Sequence, residues 1–258
     1  MTDHPQQGTK ESSLSHEKTS AQEEEQRRFF EDCAARYDRR FMRSTWPRNQ
    51  QLKARVIAES LGESVEKGRF VELGCGTAQI AEELLRRHPS ARYVGLDLSP
   101  GMVRLARRRL ERFGNRAEVR PVRGQLPLEP LAFTGAFGVD VLHHVDDPTR
   151  VLTELRACLR PGAPIVFLEG NPRFPLTALI GLIQREERGL FKMTFANLRQ
   201  WFQAAGLEEV SVEYGPLYTP PGPRTVISVL DAIDRGAAAL PLIRSLAIFY
   251  TARGQAPD

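Results

Sequence analysis

The chain has 258 residues, 41% hydrophobic and 26% charged, with a formal net charge of +4 and a pI near 9.1. That length and balance suit one sizeable α/β core with appendages, and exclude a fibrous or wholly disordered chain. Three cysteines, Cys33, Cys75 and Cys158, are odd in number and too far apart for a CxxC pair. A disulfide framework and a zinc site are therefore not expected, no metal is assigned, and a cytoplasmic location fits best.

Residues 1–28 are Gln-, Glu- and Ser-rich with almost no apolar side chains. They are expected to form a disordered tail without the apolar region of a signal peptide, so that folding starts near Phe29. Phe70, Val71 and Leu73 read as a strand, and Tyr93 to Leu96 as another. Between them, Ile80, Ala81, Leu84 and Leu85 fall at helical spacing within Ala78–Arg87. Ser99 is placed to cap a second helix ahead of Pro100, with Met102, Leu105, Ala106, Leu110 and Phe113 along one face. Val119 and Val122 mark a third strand, Phe137–Leu142 a fourth, and Asp147–Leu159 a helix ended by Pro161-Gly162. Ile165–Leu168 is a continuous apolar run, as a strand covered on both faces requires.

This alternation predicts a doubly wound, seven-stranded, mostly parallel α/β sheet of Rossmann type, with helices on both faces. The alternating Val210, Val212 and Tyr214 and the apolar Leu246–Ala252 supply a late antiparallel pair. Ile227–Tyr250 is broken by Asp231, Asp234, Arg235, Pro241 and Arg244. It falls short of the ~20 apolar residues of a spanning helix, which leaves a peripheral membrane contact open.

In such a sheet the ligand binds beyond the carboxyl ends of the strands, where the strand order reverses, so the corner Gly74-Cys75-Gly76 enters the site. Position 79 is Gln79, so the dinucleotide pattern G-x-G-x-x-G is incomplete. Glu72, just before the glycines, would repel a pyrophosphate but can hold an ammonium group. Asp97, at the end of the second strand, is placed to accept both hydroxyls of a ribose. An amino acid joined to a nucleoside satisfies both carboxylates, and S-adenosylmethionine is that molecule.

The stretches V-E-L-G-C-G-T-A and G-L-D-L-S-P-G-M resemble the cofactor-binding half of class I S-adenosylmethionine-dependent methyltransferases, in the small-molecule, type 11/12-like branch. The resemblance runs over residues 29 to about 172 and extends to FFEDCAARYD and to the stretch from Phe137 to Glu169. It implies a single methyltransferase domain over 29–258, with a helical lid at 29–66 and a cofactor core at 67–172. It implies further that Gly74, Cys75 and Gly76 approach S-adenosyl-L-methionine with backbone, that Asp97 holds the ribose, that Leu98 and Met102 flank the adenine, and that Tyr37 nears the methionine end. Two stretches depart from the family pattern. Arg123-Gly124-Gln125-Leu126-Pro127 is short, although Gln125 can still meet the adenine amino group beside Leu126. Phe133-Thr134 replaces Phe-Asp and reads as a lost loop contact.

Methyl transfer is an in-line displacement at a carbon activated by the sulfonium charge, so the protein mainly positions the acceptor and a base is optional. The candidates are Asp140, His143, His144 and Glu169. Each histidine has the alternative of packing the next helix, and Glu169 of bonding to loop backbone. Substrate covers are expected at 173–206 and 216–241, where Phe174, Phe191, Phe195 and Tyr218 suit a small, fairly apolar or lipid-like acceptor methylated at oxygen, or else fill the insertions' own cores. Arg104, Arg107, Arg108, Arg109, Arg112, Arg116, Arg120 and Arg123 form a basic run whose simplest reading is a solvated helix face. Nucleic acid is the alternative partner, but no Asn/Asp-Pro-Pro-aromatic motif follows the fourth strand to hold a flipped base. A non-catalytic cofactor-binding protein is a third alternative. Oligomeric state is not legible.

Overall fold

The computed structural model describes residues 24–34, 46–215, 245 and 247–258. The chain opens with helix α1 at 24–34, α2 (Trp46–Leu61) and α3 (Glu63–Lys67). Strand β1 (Arg69–Leu73), α4 (Gln79–Arg87), β2 (Arg92–Asp97) and α5 (Pro100–Leu110) form the expected βαβα run, followed by β3 (Ala117–Pro121) and β4 (Gly135–Val139). Then come α6 (Pro148–Cys158), β5 (Pro164–Gly170), α7 (Pro175–Ile183), α8 (Phe195–Ala204), β6 (Glu208–Tyr214) and β7 (Phe249–Gln255). Residues 24–28 are helical, so the expected disordered tail carries helix over its last five positions. Tyr37, Tyr218 and the cover expected at 216–241 lie outside the described residues.

Among the described residues the sheet has seven strands in the order β3-β2-β1-β4-β5-β7-β6. Pairs β1–β2, β1–β4, β2–β3 and β4–β5 are parallel, and β7 runs antiparallel between β5 and β6. β1 and β5 are almost wholly buried because helices cover both faces. One core packs α2, α4 and α5 through Ile57, Leu84 and Val103 with Phe70 and Phe137. The other packs α6 and α8 through Leu152, Leu155 and Phe202 with Phe167. The strand order reverses beside β1: its α4 crossover leads to β2 on one side, while β4 pairs on the other. That leaves a crevice above Leu73 and Val139.

The local signals behave as their chemistry predicts. Ser99 Oγ accepts from the Met102 N–H at 3.2 Å, capping α5, and Asp147 caps α6 through the Arg150 N–H at 2.9 Å. β4 ends at Val139 and does not continue to Leu142. Asp140 takes a left-handed φ of 51°, and Leu142–His144 form a 3₁₀ turn. The turn is imposed by the next strand, where Glu169 Oε1 accepts the N–H groups of Val141 at 3.0 Å and Leu142 at 2.7 Å. Thr134 keeps the loop contact that the missing aspartate suggested was lost, since its hydroxyl meets the Ser64 and Arg69 carbonyls at 3.2 Å each.

Candidate functional site

A cavity opens at the crevice, walled by the 72–77 corner, by Asp97, Leu98 and Met102, and by Leu126. Its far wall holds Asp140, Val141, His144 and Val145, and its cover is Gln26 and Phe30 of α1 with Gln50 of α2. Gly74 is obligatory at the corner: its φ is 66°, and a Cβ there would sit 2.3 Å from Val141 Cγ2. The corner N–H groups are largely committed within the protein. Cys75 N–H bonds the Leu96 carbonyl at 2.9 Å, and Gly76 N–H bonds Asp97 Oδ2 at 2.8 Å.

Asp97 is thereby aimed. Its second oxygen, Oδ1, accepts the Ser99 N–H at 2.9 Å, and each oxygen keeps lone-pair capacity for a hydroxyl. Burial raises its carboxyl to about 6 against these two backbone bonds, so it is ionised at neutral pH. Glu72 behaves differently. It is 3% exposed, accepts the Tyr93 hydroxyl at 2.6 Å, and is pushed by burial up to about 8, so it is mostly protonated at neutral pH. The negative charge expected there would need a cation beside it at that pH.

Leu98, Met102 and Leu126 line the cavity as expected, whereas Gln125 is exposed and is not part of its wall. The shortened loop turns that side chain outward between Gly124 and Leu126, which do line it. Of the four catalytic candidates, Asp140 and His144 reach the wall; His143 and Glu169 do not. Glu169 is fully buried, and besides the two N–H groups it pairs with His143 Nδ1 at 2.8 Å. His143 Nε2 lies 3.1 Å from Glu187 Oε2. Burial alone would lower His143, but the two carboxylates override it and push it up to about 10, so it is the cation of a buried triad.

His144 borders the cavity with Phe30 set edge-on to its ring at a centroid distance of 5.1 Å, but its Nδ1 is buried without a partner. Burial and the neighbouring His143 charge drive it down to about 3, so it is neutral. The structure thus places His144 on the cavity wall as a buried, neutral imidazole. Asp140 faces the cavity with its side chain 38% exposed and ion-paired to Lys53 of α2.

No residue of 173–206 lines the cavity. Phe195 instead packs with Tyr214 of β6 and Tyr250 of β7 at centroid distances of 4.7 and 4.8 Å, so it joins the core under the sheet edge and fills neither a substrate cover nor a core of the insertion's own. Phe30 and Gln50 fall in the stretch 29–66 expected as a helical lid, whereas Gln26 lies in the tail expected to be disordered.

A methyltransferase domain model matches residues 71–165, the stretch that builds this corner, and stops short of the lid and the last strands. A demethylmenaquinone methyltransferase of Thermus thermophilus is 33% identical over 162 residues, covering 60% of the chain and 70% of that protein. The chain belongs to the class I S-adenosylmethionine-dependent methyltransferases. A ubiquinone biosynthesis O-methyltransferase of Alkalilimnicola ehrlichii is 30% identical over 50% of the chain, which spans only 53% of that protein. Beyond sequence, this methyltransferase fold superposes with a TM-score of 0.63 at 20% identity on a structure described as a complex between the Haloferax volcanii Trm112 methyltransferase activator and the putative methyltransferase. That match covers 90% of this chain and 97% of the other. As in other class I methyltransferases, the cofactor the crevice is built for is S-adenosylmethionine.

Proposed function

We propose that the protein transfers the methyl group of S-adenosylmethionine to an oxygen of a small, fairly apolar or lipid-like acceptor. The observation that carries the reading is the mixed lining of one cavity. Glu72 and Asp97 offer carboxylates beside the glycine corner, and Phe30, Val141, Val145 and the His144 ring add an apolar lining around Asp140. The quinone-pathway names of the relatives support an apolar ring-bearing acceptor.

When bound, the cofactor supplies a methyl carbon already activated by its sulfonium. Asp97 accepts the ribose hydroxyls, Glu72 ionises against the ammonium, and the apolar wall excludes water from the transfer line. Asp140 would accept the hydrogen bond of the acceptor hydroxyl and take its proton as the oxygen–carbon bond forms and the methyl–sulfur bond breaks, with S-adenosylhomocysteine as the leaving group.

Nucleic acid is the weaker second reading, because the basic run is spent inside the protein. Arg107 donates to the Val119 carbonyl, Arg116 to the carbonyls of Leu85, His88 and Ala91, and Arg120 to Glu118 and the Pro127 carbonyl. Arg104, Arg109 and Arg112 pair with Glu31 and Glu82.

The test is transfer from methyl-labelled S-adenosylmethionine to a cell extract separated into lipid, small-molecule, RNA and protein fractions. Label in the lipid or small-molecule fraction supports the reading. Label confined to RNA or protein, or no label with cofactor bound, overturns it.

A further inference from the structure

The turn at Arg185–Lys192 is bound to the Leu142–His144 turn more closely than packing alone requires. Gly189 sits so near the His143 carbonyl that a Cβ on it would lie 1.7 Å from that oxygen. Glu187 Oε2 reaches His143 Nε2 at 3.1 Å. One nitrogen of each histidine and a Glu187 oxygen all lie within 4.8 Å of one another.

We propose that His143, His144 and Glu187 bind one divalent transition-metal ion of the zinc class, which staples the 185–192 turn to the loop after β4. Two imidazoles and a carboxylate are a donor set that zinc, cobalt and iron(II) accept. Ligands about 2.1 Å from an ion stand roughly 3.4 Å apart, so the His143–Glu187 edge at 3.1 Å already fits. The two edges to His144 have at most about 1.4 Å to close, through rotation of the His144 and Glu187 side chains.

Two further features point to an ion and not to an ion pair alone. His144 Nδ1 is buried with no hydrogen-bond partner, a cost to the fold that a bound ion would offset. His143 Nδ1 is held by the fully buried Glu169, the carboxylate–histidine orientation that fixes a metal-bound imidazole. The ion displaces the His143 Nε2 proton, which passes to solvent as the nitrogen turns its lone pair inward. The site stands beside the cofactor cavity, does not depend on the transfer reaction, and joins residues 143, 144 and 187, which no spacing rule connects.

The experiment titrates chelator-treated full-length protein with Co²⁺ and follows visible d–d absorption, then displaces it with Zn²⁺. One saturable equivalent with micromolar or tighter affinity is expected, weakened at least about tenfold in Glu187→Gln and in His144→Ala. The five histidines include three elsewhere. A His4→Ala, His16→Ala, His88→Ala variant, which leaves this cluster intact, is expected to bind as the wild type does. No saturable absorption in the wild type, loss of binding in the triple variant, or unchanged binding in a folded Glu187→Gln would each overturn the proposal.

Discussion

At the scale of single residues, the site turns on two carboxylates that sit 25 positions apart in sequence and differ in environment. Asp97 is propped by two N–H groups and stays ionised, whereas Glu72 is buried against Tyr93 and keeps its proton to about 8. A carboxyl whose folded pKa is raised contributes stability below its ordinary range near 4.5, and loses that contribution as pH rises through about 8. Cofactor binding runs the other way, because the ammonium needs the ionised form. Affinity for S-adenosylhomocysteine should therefore climb between about pH 6.5 and pH 8, and Glu72→Gln should bind about tenfold more weakly at the upper end with a flat profile. Calorimetry at both pH values checks this, and a flat wild-type profile counts against the ammonium assignment. Asp140 offers a second residue-scale test. Its left-handed φ suits asparagine, so Asp140→Asn should fold normally, bind cofactor unchanged and lose about 10- to 100-fold in kcat. Full turnover in the variant would remove Asp140 from the reaction.

Elements bring these residues together. Helix α1 is latched across the cavity by Glu31, whose carboxylate takes the Ser99 hydroxyl at 3.0 Å, the Gly101 N–H and Arg104 at 2.9 Å, all at the start of α5. Glu31→Ala should release the helix, raising the KM for cofactor about three- to tenfold and speeding amide exchange at 24–34, which hydrogen–deuterium exchange can follow. Unaltered exchange there would show that the latch is inert. The loop after β4 depends on Glu169 in the same way. Glu169→Gln leaves the His143 charge half-paired and should cost about 3 kcal/mol in denaturant unfolding; a loss under 1 kcal/mol would show that the triad is not needed. Elements were also where sequence reading succeeded and failed most clearly. Helical spacing found α4 and α5, and Ser99-Pro100 found a helix start, because those signals are local. The bonding of Glu169 to loop backbone was one of its two legible readings, but the early end of β4 and the His143 triad were hidden, because they depend on Glu169 and Glu187, 26 and 44 residues from His143. The polar run before Phe29 looked disordered because the residues that hold α1, Ser99 to Arg104, lie about 70 positions away.

Over the whole molecule, the alternation of strands and helices was enough to predict the parallel sheet and the crevice at its reversal point. Asp97 and the glycine corner were legible for the same reason, since the topology fixes where those chain positions must lie. The cavity's cover was legible only in part, because among the described residues it comes from α1 and α2 and not from α7 and α8. The arginine run shows the same limit: six of its eight members bond carbonyls and carboxylates of the protein, Arg104 and Arg112 from exposed positions, which no count of charges reveals. The central claim is that one crevice binds S-adenosylmethionine through Asp97. Isothermal titration of S-adenosylhomocysteine into the wild type and Asp97→Ala, with circular dichroism to verify the fold, tests it most directly. One equivalent bound by the wild type and at least about a hundredfold weaker binding by a folded Asp97→Ala is the predicted result. Equal affinity in the two proteins, or no binding by the wild type, would contradict it.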